Sequence, residues 1–123
     1  MRRATRGFGV FIVMIVLALA ADYARVRAKD GRVSHAISRC NGRMGSIPMW
    51  PLGTEYRVTF FHALRSEQLD QIAELNSLRG SVHVTFVDCQ FSGHEARQTM
   101  LKLHRCRLYR LVDGEMSILD DSL

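Results

Sequence analysis

From Gly7 to Ala21 the chain runs for fifteen residues without a charge, mostly apolar, and Arg2, Arg3 and Arg6 stand just before it. Such a run withdraws the first part of the chain from a water-soluble core and commits it to a membrane or to export. As a helix it spans about 22 Å at 1.5 Å per residue, short of the roughly 30 Å of a bilayer's hydrocarbon core. A cleaved signal peptide therefore competes with a retained anchor, and Ala18-Leu19-Ala20 offers a cleavage site. Tyr23, Arg25, Arg27 and Lys29 supply an interfacial collar on the far side. The expectation is a single-pass N-terminal anchor, with export after cleavage as the alternative. Three arginines precede the run and Arg25, Arg27, Lys29 and Arg32 follow it, so the flanking charge leaves the orientation open.

The chain has 123 residues and a net charge of +5, which allows one small folded domain beyond the apolar run. The charge is unevenly placed. Residues 1 to 43 hold nine Arg and Lys against two Asp, while residues 44 to 123 hold eight against ten acids. A nucleic-acid binder carries its cations on the folded domain, so the basic balance fits an anionic membrane surface better, and no nucleic-acid partner is expected. Cys40, Cys89 and Cys106 are odd in number and form no CxxC pair, so free, buried thiols are expected instead of a disulfide framework.

Four segments follow: basic residues 1–6, the anchor or signal core 7–21, a juxtamembrane helix and linker 22–43, and a domain 44–123. Tyr23, Val26, Val33 and Ile37 recur at helical spacing, with Asp30-Gly31 interrupting. Residues 40 to 53, with three Gly and two Pro, predict a loop from which Trp50 reaches the core.

Within the domain a phrase is stated twice. FVDCQFS, residues 86–92, returns as LVDGEMS, residues 111–117, which sets a spacing of 25 and places Val84 over Tyr109. A step of 26 back from Val84 and Phe86 reaches Val58 and Phe60. A period in this range marks stacked supersecondary units. Val82, Val84 and Phe86 alternate as a strand; Leu69, Ile72, Leu75 and Leu78 step by three as a helix that ends at Gly80. Ser92 with Glu95, and Ser117 with Asp120, have the form of capping boxes, so each phrase is the corner where a strand turns into its helix. The second helix is expected over about Gly93 to His104.

LNSLRGSVHVTFVDCQFS, residues 75–92, resembles the leucine-rich-repeat pattern. With the N-terminal apolar run and the LGTEYRVTF lead-in, residues 52–60, the chain resembles small bacterial membrane-associated leucine-rich-repeat proteins. The likeness covers residues 52–123, and the middle unit matches best; Arg65 departs where Phe91 and Met116 are apolar. The resemblance implies an α/β fold: a short solenoid of about three units with parallel strands, plus the N-terminal hydrophobic helix. It also implies that residues 63, 89 and 114 point inward, and that the Cys89 thiol donates to a loop carbonyl.

Cys89, His94, His104 and Cys106 have poor spacing for zinc, and no HExxH, GxSxG, Walker or GxGxxG motif is present, so neither catalysis nor a cofactor is expected. Lys102, Arg105, Arg107 and Arg110 predict a solvated helix end. In the repeat geometry Phe61, Val87 and Val112 form an apolar row on the sheet's open face, beside Thr85 and Arg110. These five are the candidate binding residues, for an unidentified protein partner or for self-association where the third unit ends without a cap. The competing expectation is a small exported thiol or metal protein using Cys89, Cys106 and nearby histidines.

Overall fold

The computed structural model describes residues 2–48 and 53–120. Trp50 lies outside them. A single helix, α1 (Arg2–Arg39), opens the chain and passes through Gly31 without a break. Its first half stands clear of the domain: none of its most apolar window is buried, and side chains from Phe8 to Leu19 are exposed. The helix is long and apolar enough to serve as a membrane anchor or as a signal sequence. Its second half is part of the core, where Val33, Ile37 and Cys40 are each no more than 1% exposed. The expected interruption at Asp30-Gly31 is overridden because contacts grip the helix on both sides of it. Tyr56 Oη donates to Asp30 at 2.7 Å, and Val33 is buried one turn on. Together they outweigh the roughly 1 kcal/mol that a helical Gly costs.

α1 ends where Asn41 adopts φ 58° and the Gly42 and Asn41 amides donate back to Ile37 O and Ser38 O, a Schellman cap. A Cβ on Gly42 would press into the Phe60 ring and Ile37. The segment expected to be a loop then forms β1 (Arg43–Pro48), antiparallel to β2 (Thr54–Phe60). A short helix α2 (Ser66–Gln71) and a 3₁₀ turn (Ala73–Ser77) lead to β3 (Gly80–Val87), then α3 (Gly93–Lys102), β4 (Arg107–Val112) and β5 (Glu115–Ile118). Gly80 begins β3 rather than ending a helix. It has φ 114°, and a Cβ there would collide with the Thr54 backbone.

The result is a five-stranded mixed sheet in the order β1-β2-β3-β4-β5, with β2, β3 and β4 parallel and both edge strands antiparallel. All helices lie on one face, over a core built on Tyr56, Val58, Phe60, Val84 and Phe86. Phe86 stacks on Phe60 with centroids 5.7 Å apart and meets Phe91 edge-on at 5.0 Å. The Ser92–Glu95 capping box forms as expected at the start of α3.

Two strand–helix units are thus present, and the third is different. Val58 pairs with Val84, but Val84 pairs with Leu108, so Tyr109 is displaced by one residue from its expected place. Leu108 is 8% exposed and core-facing, and Tyr109 stands on the opposite face. After β4 comes a two-residue turn, with Asp113 at φ 53° and Gly114 at φ 79°, that folds β5 back onto β4. Ser117 therefore sits in a strand and caps no helix, and Gly114 is exposed instead of inward. A leucine-rich-repeat solenoid is not shown, because hairpin strands occupy both edges along which further parallel units would add.

Leu108→Asp should abolish cooperative unfolding, whereas Tyr109→Asp should cost under about 1 kcal/mol in a denaturant titration, since surface substitutions cost little; reversed costs would restore the 25-residue register. Burial and the Asp30 hydrogen bond push the Tyr56 phenol up to about 12. The folded chain therefore holds this proton more tightly than the unfolded one, so its stabilising contribution is complete below pH 10 and is lost as pH rises toward 12. Thermal melts of Tyr56→Phe should show a smaller loss over that window than the parent.

Candidate functional site

The alternation of each strand decides which residues reach the helix-free face. In β2, β3 and β4 the core takes Tyr56, Val58, Phe60, Val82, Val84, Phe86 and Leu108, so their neighbours point the other way. Pairing carries that parity to the edges. The open face holds one row running Arg43, Thr59, Thr85, Tyr109 and Ile118. Next to it Val87, Leu111 and Met116 form an apolar row, with Phe61 just past the end of β2 at 50% exposure. Arg43 lies over the Phe61 ring, 5.6 Å from its centroid, and His83 stacks on Tyr109 at 5.9 Å. Among the described residues no helix covers this face.

Of the five expected binding residues, Phe61, Thr85 and Val87 stand together on that face. Arg110 and Val112 do not. Arg110 pairs with Phe86 and Val112 with Glu115, so both turn to the helix side, where the Arg110 Nε is buried without a hydrogen-bond partner. Leu111 takes the place expected for Val112, and Met116 and Ile118 extend the surface onto a strand the repeat reading did not contain. The missing signal was Asp113-Gly114 between alternating apolar residues, the strongest short-range mark of a two-residue hairpin.

The thiols are set apart from one another. Cys89 lies at the exit of β3, its Sγ 3.3 Å from Val87 O and 3.9 Å from Phe60 O, so it meets the last carbonyls of β3 and β2 and not a loop carbonyl. Cys106 lies just before β4, 3.8 Å from Asn76 Oδ1, in an apolar cleft of about 470 Å³ lined by Met100, Leu103, Leu108, Ile118 and Leu119 with His104. The two cysteines thus occupy opposite ends of the sheet. Among the described residues no group of three or more His, Cys, Asp or Glu side chains is placed to hold a metal. Burial raises the pKa of Cys40 and Cys89, and pushes the Cys106 thiol up to about 11. A nucleophile or metal ligand needs the thiolate, which burial here disfavours.

Lys102, Arg105, Arg107 and Arg110 do not share a helix end. Lys102 closes α3 and pairs with Asp70 at 2.6 Å, Arg105 is in the turn, and Arg107 and Arg110 are in β4 on opposite faces.

Comparison with family models, with curated proteins and with solved structures finds no match for this chain.

Iodoacetamide labelling of Cys106 in the folded chain should be slow at pH 7 and should accelerate about tenfold per pH unit toward pH 11, as thiolate forms. Labelling at pH 7 as fast as that of a free peptide thiol would return Cys106 to the list of reactive groups.

Proposed function

We propose that the chain is a membrane-anchored, non-enzymatic protein-interaction module that offers the helix-free face of its sheet to a protein partner or to a second copy of itself. One observation carries this reading. Val87, Leu111 and Met116 align across three strands beside Phe61, on a face no described helix covers. Single exposed apolar residues are ordinary on a protein surface, but a contiguous row marks a contact. Around it His83, Tyr109 and Arg43 supply the aromatic and cationic groups that enrich interface cores.

The anchor reading rests on the bare first half of α1, which has no packing role in the domain. The repeat-type reading takes a reduced form: two strand–helix units, β2–α2 and β3–α3, display a face in the manner of leucine-rich repeats, with hairpins in place of further units. The competing thiol or metal reading is disfavoured by the separation of Cys89 from Cys106 and by the raised pKa of both.

A photo-crosslinking residue placed at Leu111 of the full-length chain, in membranes of the cells that make it, should give a discrete protein adduct that the same residue at Glu67 does not. Val87→Asp should remove the adduct and leave the circular dichroism unchanged. Equal adducts from both positions, or unfolding of the Val87 variant, would overturn the reading.

A further inference from the structure

α1 and the strands share an axis. Contacts climb α1 from Asp22–Arg79 through Asp30–Tyr56 to Ile37 and Gly42 beside Phe60, while β2 climbs from Thr54 to Phe60. The sheet therefore has an end near the apolar run and an end far from it. Arg79, immediately before β3, grips Asp22 with both terminal nitrogens, at 2.7 and 2.8 Å, one residue beyond the last apolar position of the run. The near end of the domain is thereby held at the level where the helix would leave a bilayer.

Acids are unevenly placed along this axis. At the far end stand Asp88 and Asp113 at the exits of β3 and β4, Glu67 and Glu95 in the first turns of α2 and α3, and Glu115 opening β5, with Arg39, Arg43 and Arg65 beside them. The acids nearer the membrane end are engaged internally. Asp22 binds Arg79, Asp30 accepts from Tyr56, Glu55 meets Arg57, Asp70 meets Lys102 and Glu74 meets Arg32. Asp120, exposed after β5, is the further acid at this level. The cations here are differently placed. Arg25 and Arg105 are exposed and form no ion pair among the described residues, and Lys29 reaches Ser77 O at a long 3.4 Å. Arg25, Lys29 and Arg79 line one open cleft of about 240 Å³ between α1 and the approach to β3, together with Asp22, which is paired to Arg79, and Asp30, which accepts from Tyr56. Arg105 is tied to the same rim by its amide, which donates to Asn76 Oδ1 at 3.1 Å.

We infer that this rim, Arg25, Lys29 and Arg105 around the Arg79–Asp22 pair, is a contact for anionic phospholipid headgroups that seats the domain against the bilayer. The inference rests on the anchor reading. Arg25, Lys29 and Arg105 leave three cations on one edge with no ion pair among the described residues to offset them; such cations attract negative lipid, and each Lys or Arg near the surface shifts the equilibrium about fivefold. Lipid phosphate is favoured over nucleic acid as the source of negative charge because the covalent helix already holds the rim at headgroup depth.

The test uses the full-length chain with His104→Cys, an exposed rim position beside Arg105, carrying an environment-sensitive fluorophore; the three native thiols are poor competitors at neutral pH. A second chain carries the label at Glu67→Cys, on the far end. Both are reconstituted into phosphatidylcholine vesicles with or without phosphatidylglycerol. The rim label should shift to the blue when phosphatidylglycerol is present and return in high salt, and the far label should not move. Arg25→Glu with Arg105→Glu should cut the docking equilibrium constant, the ratio of docked to undocked rim label, by at least about twentyfive-fold, from about fivefold per cation removed. A rim label that ignores lipid charge, in chains that float with the vesicles after an alkaline wash, overturns the inference and leaves the anchor standing. Chains stripped off by that wash from both vesicle types overturn the anchor reading, and the inference falls with it.

Discussion

The burial of Val33, Ile37 and Cys40 against Tyr56 and Phe60 is the contact on which the rest of the structure depends. It makes one helix serve two solvents. The first half of α1 has a composition suited to lipid and touches nothing in the domain, and the second half is a wall of the water-soluble core. Because the helix is continuous through Gly31, no hinge separates the two, and the domain's attitude is fixed relative to the apolar run. Cutting after Ala20 would leave every described contact between helix and sheet in place, since the first of them is at Asp22. The domain is therefore built the same way whether the run is retained or removed.

The second constraint is register. β2 and β3 are offset by 26 residues and β3 and β4 by 24, yet the repeated phrase has a period of 25. Both Asp88 and Asp113 take left-handed backbone, so the phrase marks a true local likeness at two strand exits. β4 simply runs one residue longer before it reaches that exit: Val87 is level with Leu111, and Val112 follows. In a sheet the cost of one residue is a change of face, which exchanges Leu108 for Tyr109 in the core and Leu111 for Val112 on the open side.

Legibility in the sequence followed the range of the forces involved. The alternation of Val82, Val84 and Phe86, the side-by-side placing of Val58 and Val84, and the Ser92–Glu95 cap are local patterns with short-range causes, and they read correctly. The three-residue step of Leu69, Ile72 and Leu75 buried all three side chains, but it folded as a short helix and a 3₁₀ turn, where a period of three is native to the second. What escaped was set by pairing between distant segments. β1 carries Gly45 and Pro48 and little strand propensity, and exists because β2 offers it an edge. Thr85 and Val87 were placed on the open face because their own strand shows the alternation, whereas Arg110 and Val112 were misplaced because their face depends on a partner in β3.

The two edge hairpins also decide what kind of assembly remains available. A run of parallel units could lengthen indefinitely, with each terminal strand a template for the next chain. Here β1 ends in Pro48, which has no amide to donate, and β5 is four residues long and opens with Glu115, so neither edge favours strand addition. On the proposed reading, contact falls instead on the flat of the sheet. Because the strands lie along α1, that face looks sideways, in the plane of any membrane the helix enters. On that reading, a partner confined to the same membrane would meet this face flat-on by lateral diffusion, with Arg43, His83 and Tyr109 bordering the apolar row it would cover.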